Sequence, residues 1–134
     1  MKTIGIGIIG WGFMGKTHAQ ALRSLPLFYP GALFNTALRC VCARHIENAR
    51  AAAQAAGFER CTDDYRALLA QPDIDVVSIC TPNALHEEMA VAALRSGKHV
   101  YIDKPLAVTA ESALRIADAA ESAPGFTRMV FNNR

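Results

Sequence analysis

Short apolar runs alternate with longer, alanine-rich amphipathic stretches along the whole chain. The apolar and β-branched runs predict strands over about 3–9, 37–43, 74–80, 98–102 and 127–131, with a short, weak strand near 58–61. Helical spacing predicts helices over about 13–25, 46–56, 64–70, 84–96 and 109–122. Strands separated by helices imply right-handed crossovers, and hence a mostly parallel sheet with helices on both faces. Ile74–Cys80 has the nearly continuous apolar character of a central parallel strand. The expected fold class is therefore α/β, a doubly wound sheet of about six strands in one domain over 1–134.

Polar residues at the seams refine these boundaries. Asn83 is a candidate N-cap, with Glu87 and Glu88 in the early turns of the helix, and Gly97 is its expected C′ residue. Thr109 is placed to cap the last helix, which Pro124-Gly125 stops. Leu85, Met89, Ala92 and Ala93 form a helical stripe that reads as core. Leu25–Phe34 is unusually apolar for a connection, because loops ordinarily lie at the surface. Either it folds over the edge of its own sheet or it meets another domain or subunit.

With 134 residues, 51% hydrophobic and 19% charged, the chain has enough apolar surface for a real core, which excludes disorder. A net charge of +2 makes no electrostatic case for nucleic acid or an anionic membrane as partner. No apolar run approaches a membrane span, and Met1-Lys2-Thr3 leads into a strand broken by glycines, unlike a signal peptide. Cys40, Cys42, Cys61 and Cys80 form no CxxC pair and read as small buried hydrophobes of a reducing cytosol, so a cytoplasmic location is expected. Zinc held by Cys40, Cys42 and a histidine is disfavoured for want of a second ligand pair, and no metal is expected.

The candidate chemistry lies where strands end. Gly10-Trp11-Gly12-Phe13-Met14-Gly15 directly follows the first strand and opens the first helix, the placement of a dinucleotide fingerprint. Gly10 permits the tight turn, Gly12 lets a pyrophosphate approach the backbone, and Gly15 lets the helix sit close to the sheet. The helix N-terminus adds unpaired N–H groups and partial positive charge. In such sheets ligands sit beyond the C-terminal ends of strands, which also selects Ala43-Arg44-His45, Thr81–His86 and Asp103–Pro105. An acid at the second strand's end would favour NAD. Arg44 stands there instead, with no acid until Glu47, and favours the 2′-phosphate of NADP(H), while NAD(H) stays possible because arginine also stacks on adenine. Thr81-Pro82-Asn83 is placed to hydrogen-bond the nicotinamide half or simply to begin a helix. His86 reads as a structural hydrogen-bonder before it reads as a general base.

Taken together, the glycine fingerprint, Thr81-Pro82-Asn83 with His86, and Gly97–Ala107 with its Asp103-Lys104-Pro105 resemble the N-terminal half of the Gfo/Idh/MocA oxidoreductase family (glucose–fructose oxidoreductase and inositol dehydrogenase-like). The resemblance spans essentially the whole chain, with Val130–Arg134 similar to the last strand and the segment entering a second domain. It implies a Rossmann fold and hydride transfer between nicotinamide and a sugar, polyol or related hydroxyl or carbonyl substrate. It also implies Lys104 as the active-site lysine. An ammonium there stabilises developing charge on the substrate oxygen and takes part in a proton relay. The family's usual Glu-Lys-Pro is Asp-Lys-Pro here, so Asp103, one methylene shorter, either reaches the ribose or only orients Lys104.

The resemblance further implies a C-terminal substrate domain that these residues do not contain. The chain alone is accordingly expected to bind cofactor and to be nearly inactive. Exposed apolar residues such as Leu27, Phe28, Leu33 and Phe34 would favour a homo-oligomer. A non-catalytic NAD(P)-sensing module is the rival from another class, and a nucleotide-sugar or S-adenosylmethionine protein a third reading.

Overall fold

The computed structural model describes residues 1–131. Asn132, Asn133 and Arg134, read from the sequence as leading into a second domain, lie outside the described residues. The chain runs β1 (Lys2–Ile9), α1 (Phe13–Phe28), β2 (Phe34–Cys42), α2 (Ile46–Ala56), β3 (Arg60–Thr62), α3 (Tyr65–Leu69), β4 (Val76–Ile79), a 3₁₀ turn (Asn83–Leu85), α4 (His86–Arg95), β5 (His99–Ile102), α5 (Ala110–Ser122) and β6 (Thr127–Met129). Every pairing is parallel, in the order β3-β2-β1-β4-β5-β6. The order reverses between β1 and β4, and that reversal opens a crevice above their C-terminal ends.

Period-2 alternation divides the core between the two faces. Ile9, Cys40, Cys42, Val77, Ile79, Val100 and Ile102 pack with α3, α4 and α5. Ile6, Ile8 and Val41 point the other way, toward Ala19 of α1, Ala52 of α2 and Phe58. Two helices leave the second face partly open beside α1. There a groove of about 420 Å³ is lined by Leu22, Leu25, Val76, Tyr101 and Phe126.

Several boundaries depart from the sequence reading, each for a physical reason. α1 continues through Pro26 to Phe28. Proline cannot donate to the carbonyl four residues back, that of Leu22, which instead accepts from Thr36 Oγ1 at 3.3 Å. β2 begins three residues before the predicted 37, because Phe34–Thr36 pair with Lys2–Ile4 of β1. Leu25–Phe34 thus divides between helix, turn and strand, and it does not fold over the sheet edge: Leu27, Phe28 and Leu33 are 71–88% exposed. β4 starts at Val76, although Ile74 is buried just before it.

Asn83 is not a side-chain cap. Pro82 begins a 3₁₀ turn over Asn83–Leu85, and α4 follows without a side-chain N-cap. That turn swings Leu85 out of the predicted core stripe, leaving it 40% exposed, while Ala93 is buried and Met89 and Ala92 pack against the core. Thr109 does cap α5, accepting from the Ser112 N–H at 3.1 Å. Gly97 takes the positive φ of a C′ residue, +78°.

All four cysteines are free: Cys40 and Cys42 are buried, Cys61 and Cys80 half-buried. No helix among the described residues is long and apolar enough to cross a membrane. Among the described residues no group of three His, Cys, Asp or Glu side chains is placed to hold a metal ion.

Candidate functional site

Parallel pairing brings the C-terminal ends of β2, β1, β4 and β5 to one edge in that order. Hydrogen bonds stitch this edge together: Gly10 N–H donates to Cys42 O at 2.8 Å, Cys80 N–H to Ile9 O at 2.8 Å, and Asp103 N–H to Ile79 O at 3.0 Å. The four segments selected from the sequence therefore lie side by side.

The three fingerprint glycines behave differently. Gly10 has φ +98°, and a Cβ there would stand 2.7 Å from the Cys80 carbonyl group. Both conditions exclude other residues at the turn. At Gly15 a Cβ would meet Gly10 O at 2.1 Å, so the missing side chain is what lets α1 press against the loop. A Cβ on Gly12, by contrast, meets nothing within 4 Å. Its place is the open space before the N-terminus of α1, where no side chain caps the helix and no acid lies in the first turn. Those free N–H groups suit a phosphate, so the cradle fits the dinucleotide that the sequence implies. Phe13 is exposed and Met14 half-buried at its rim.

On the β2 side Ala43 is buried, and Arg44 and His45 are exposed. Arg44 makes no ion pair among the described residues. It borders a groove of about 690 Å³ between α1 and α2 that also takes in Trp11 and Lys16.

On the other side Thr81, Pro82 and Asn83 form the turn after β4, with Pro82 and Asn83 exposed and Thr81 Oγ1 directed at Met89 Sδ, 3.6 Å away. Asp103 Oδ1 accepts from the Lys104 N–H at 2.8 Å, so the shorter acid braces its own loop. The Lys104–Pro105 peptide is cis. Lys104 is exposed, with no ion pair among the described residues.

His86 takes the structural hydrogen-bonding role that the sequence reading put first. It is 1% exposed, and its ring is enclosed between main-chain carbonyls. It stands in the wall of the crevice and offers no ring nitrogen to a ligand.

In the groove beside α1 lie residues that the sequence reading missed. His18 Nδ1 lies 2.7 Å from Ser78 Oγ and 3.2 Å from Cys80 Sγ, and its ring packs on Tyr101 with centroids 5.2 Å apart. Burial lowers the His18 pKa, with the Asp103 charge opposing it, and burial pushes the Cys80 thiol up to about 11. Burial thus favours the neutral imidazole of His18 and the protonated thiol of Cys80. The signal was present, because His18 follows Gly15 by three residues on the buried face of α1.

A larger surface groove, about 1120 Å³, lies across α4 and α5 on the outer face, away from the strand ends. Four of its charged residues already have partners, Glu87 with Arg115 and Glu88 with Tyr65 and Arg66, while Arg95 and Asp118 make no ion pair among the described residues. The crevice, with its unpaired lysine and arginine and its open helix N-terminus, is the better site.

A family model described as an oxidoreductase family with an NAD-binding Rossmann fold (GFO_IDH_MocA) matches residues 4–130. Levoglucosan dehydrogenase of Pseudarthrobacter phenanthrenivorans is 40% identical over 134 residues, covering 100% of this chain and 34% of that protein. Inositol 2-dehydrogenase of Paracoccus denitrificans is 34% identical over 122 residues, covering 90% of the chain and 34% of the relative. Among solved structures, levoglucosan dehydrogenase in complex with NADH and L-sorbose superposes with a TM-score of 0.90 at 39% identity, over 95% of this chain and 35% of that one. An NAD-binding oxidoreductase from Klebsiella pneumoniae gives a TM-score of 0.93 at 42% identity, over 98% and 35%. The chain thus spans about a third of the length of the relatives it matches. Fingerprint, sheet order and these likenesses agree: the chain belongs to the Gfo/Idh/MocA oxidoreductases, as their NAD-binding Rossmann domain.

Proposed function

We propose that this chain is the cofactor-binding domain of an NAD(P)-dependent dehydrogenase or reductase acting on a sugar, a polyol or a related hydroxyl or carbonyl compound. The observation that carries the reading is Lys104, exposed and unpaired on the same strand edge as the fingerprint glycines. The bound nicotinamide supplies the site that takes or gives hydride. This chain's residues hold and orient it. Gly10, Gly12, Phe13, Met14 and Gly15 cradle the pyrophosphate; Ala43, Arg44 and His45 flank the adenosine ribose; Thr81, Pro82, Asn83 and Asp103 border the nicotinamide side. The Lys104 ammonium stabilises negative charge on the substrate oxygen and passes its proton.

NADP(H) is the favoured cofactor. Arg44 gives a 2′-phosphate a cation partner, and no acid at the β2 end repels it. Relatives named for levoglucosan and inositol support a polyhydroxylated substrate. The exposed Leu27, Phe28 and Leu33 support the expected homo-oligomer, and the cytoplasmic location belongs to the same proposal.

In an active dehydrogenase carrying this domain, Lys104→Ala should cut turnover by roughly 100-fold or more, the scale of a lost acid–base or charge-stabilising group. Dinucleotide affinity, measured by fluorescence titration, should stay nearly unchanged. Undiminished turnover refutes the role of Lys104.

A further inference from the structure

His86 joins the two loops that flank the nicotinamide side, although it belongs to neither. It is the first residue of α4 and is 1% exposed. Its Nε2 lies 2.9 Å from the Thr81 carbonyl oxygen, at the end of β4. Its Nδ1 lies 2.9 Å from Pro105 O and 3.3 Å from Leu106 O, directly after Lys104. An imidazole is rigid, so a ring held at both ends fixes the spacing between the loops it touches. A ring protonated at both nitrogens donates to both loops, and a neutral ring donates to one at a time.

The lysine loop has few other polar anchors. Lys104 and Pro105 are exposed; Asp103 N–H donates to Ile79 O at the root of the loop, Asp103 Oδ1 braces the Lys104 N–H from within it, and Leu106 packs against the core. Without His86, that loop has no polar tie to the β4 turn among the described residues. The enclosed ring is also too occupied to exchange protons with a ligand, since either nitrogen would have to leave a carbonyl to do so.

We propose that His86 is a positioning residue: it sets Lys104 relative to the Thr81–Asn83 turn, and thereby relative to a ring lying between them. This assignment rests on the reading of Lys104 as the reacting ammonium.

Two measurements test it. In the chain itself, His86→Ala should shift the Lys104 and Leu106 amide resonances and speed their hydrogen exchange, with the Gly12–Gly15 amides unmoved. In an active dehydrogenase carrying this domain, His86→Ala should lower kcat roughly 10–100-fold, the scale of an ångström's misplacement, while the dinucleotide KM changes less than about 3-fold. The double variant with Lys104→Ala should be no slower than Lys104→Ala alone, because both act through one group. His86→Gln, which keeps a donor for one loop, should recover part of the loss and carries the same tests should His86→Ala not fold.

Unchanged kcat, losses that multiply in the double variant, or a defect confined to dinucleotide binding would each overturn the proposal. If Lys104→Ala by itself leaves turnover intact, the reading of Lys104 fails and takes this one with it. If Lys104→Ala lowers turnover to a measurable remainder and the His86 losses multiply with it, only the positioning role fails.

Discussion

Replacing Gly15 and Gly12 separately divides what the fingerprint does for the fold from what it does for a ligand. A Cβ on Gly15 would lie 2.1 Å from the Gly10 carbonyl oxygen and 3.2 Å from its carbon. Non-bonded contacts are comfortable at about 3.5 Å, so α1 must retreat by roughly an ångström or the loop must bend. Overpacking against backbone costs about 1–3 kcal/mol. In a domain of 134 residues each kcal/mol lowers Tm by about 3–5 °C, so Gly15→Ala should melt roughly 3–15 °C lower.

Gly12 has φ −82° and ψ −161°, an extended conformation any residue adopts, and a Cβ there touches nothing within 4 Å. Restricting the unfolded chain favours a substitution by about 0.4–1 kcal/mol, and weaker capping removes part of that gain. The Tm of Gly12→Val should therefore stay within roughly 3 °C of the parent. Binding should respond oppositely. The new methyl groups fill the space before the helix N-terminus and hold a phosphate away from its N–H groups. Losing two charge-assisted hydrogen bonds, about 1.5–3 kcal/mol each, lowers NADH affinity roughly 100-fold or more. Trp11, the one tryptophan, lies inside the loop and gives the assay, energy transfer to bound NADH, alongside a thermal melt. A Gly12→Val chain with parental Tm and parental NADH affinity would refute the cradle, and an unchanged Tm for Gly15→Ala would refute the packing argument.

Three further outcomes follow from the same geometry. Arg115 holds the Glu87 carboxyl down at about 2; because the folded value lies below the unfolded one, the stabilisation is present above the ordinary carboxylate range and fades as pH falls through about 2. Arg115→Ala should return Glu87 to that ordinary range in an NMR titration, and an unmoved midpoint would contradict the pairing. Arg44→Ala should weaken NADPH binding roughly 10–100-fold, one charge-assisted contact, and leave NADH within about 2-fold; a parent chain that prefers NADH would reject the NADP(H) assignment. Burial raises the Cys42 and Cys80 thiols to about 12 and about 11. At pH 8 Cys80 should alkylate roughly 100-fold and Cys42 roughly 1000-fold more slowly in the native than in the denatured chain, because thiolate is the reacting form; equal rates by mass spectrometry would refute their burial.

The parts legible in the sequence are those that local pattern decides. The fingerprint glycines follow a strand and open a helix, and the strand ends read at 43, 80 and 102 fall within a residue of the observed ends, Cys42, Ile79 and Ile102. Order and parallel pairing then place the four loops together without further information. What was hidden depends on partners distant in sequence. β2 lengthens because β1 reaches back to pair with Phe34–Thr36. Pro26 stays helical because Thr36 satisfies the carbonyl it leaves free. Asn83 looked like a cap, but Pro82 starts a 3₁₀ turn instead, which turns Leu85 outward. Lys98 read as the polar start of a strand; it is buried, donating to Gln71 O and Ile74 O at 2.7 and 2.8 Å. His86 and His18 were visible as histidines, but their enclosure comes from loops and strands distant in the chain, Pro105 for His86 and Ser78, Cys80 and Tyr101 for His18.

Backbone-amide shifts during an NADH titration of the chain test the central claim most directly. Perturbations at Gly10–Gly15, Ala43–His45, Thr81–Asn83 and Asp103–Lys104, tracing one path along the strand ends, are the predicted result. Shifts gathered around Arg66, Glu88 and Arg115 on the outer helical face, with the crevice unmoved, would contradict it.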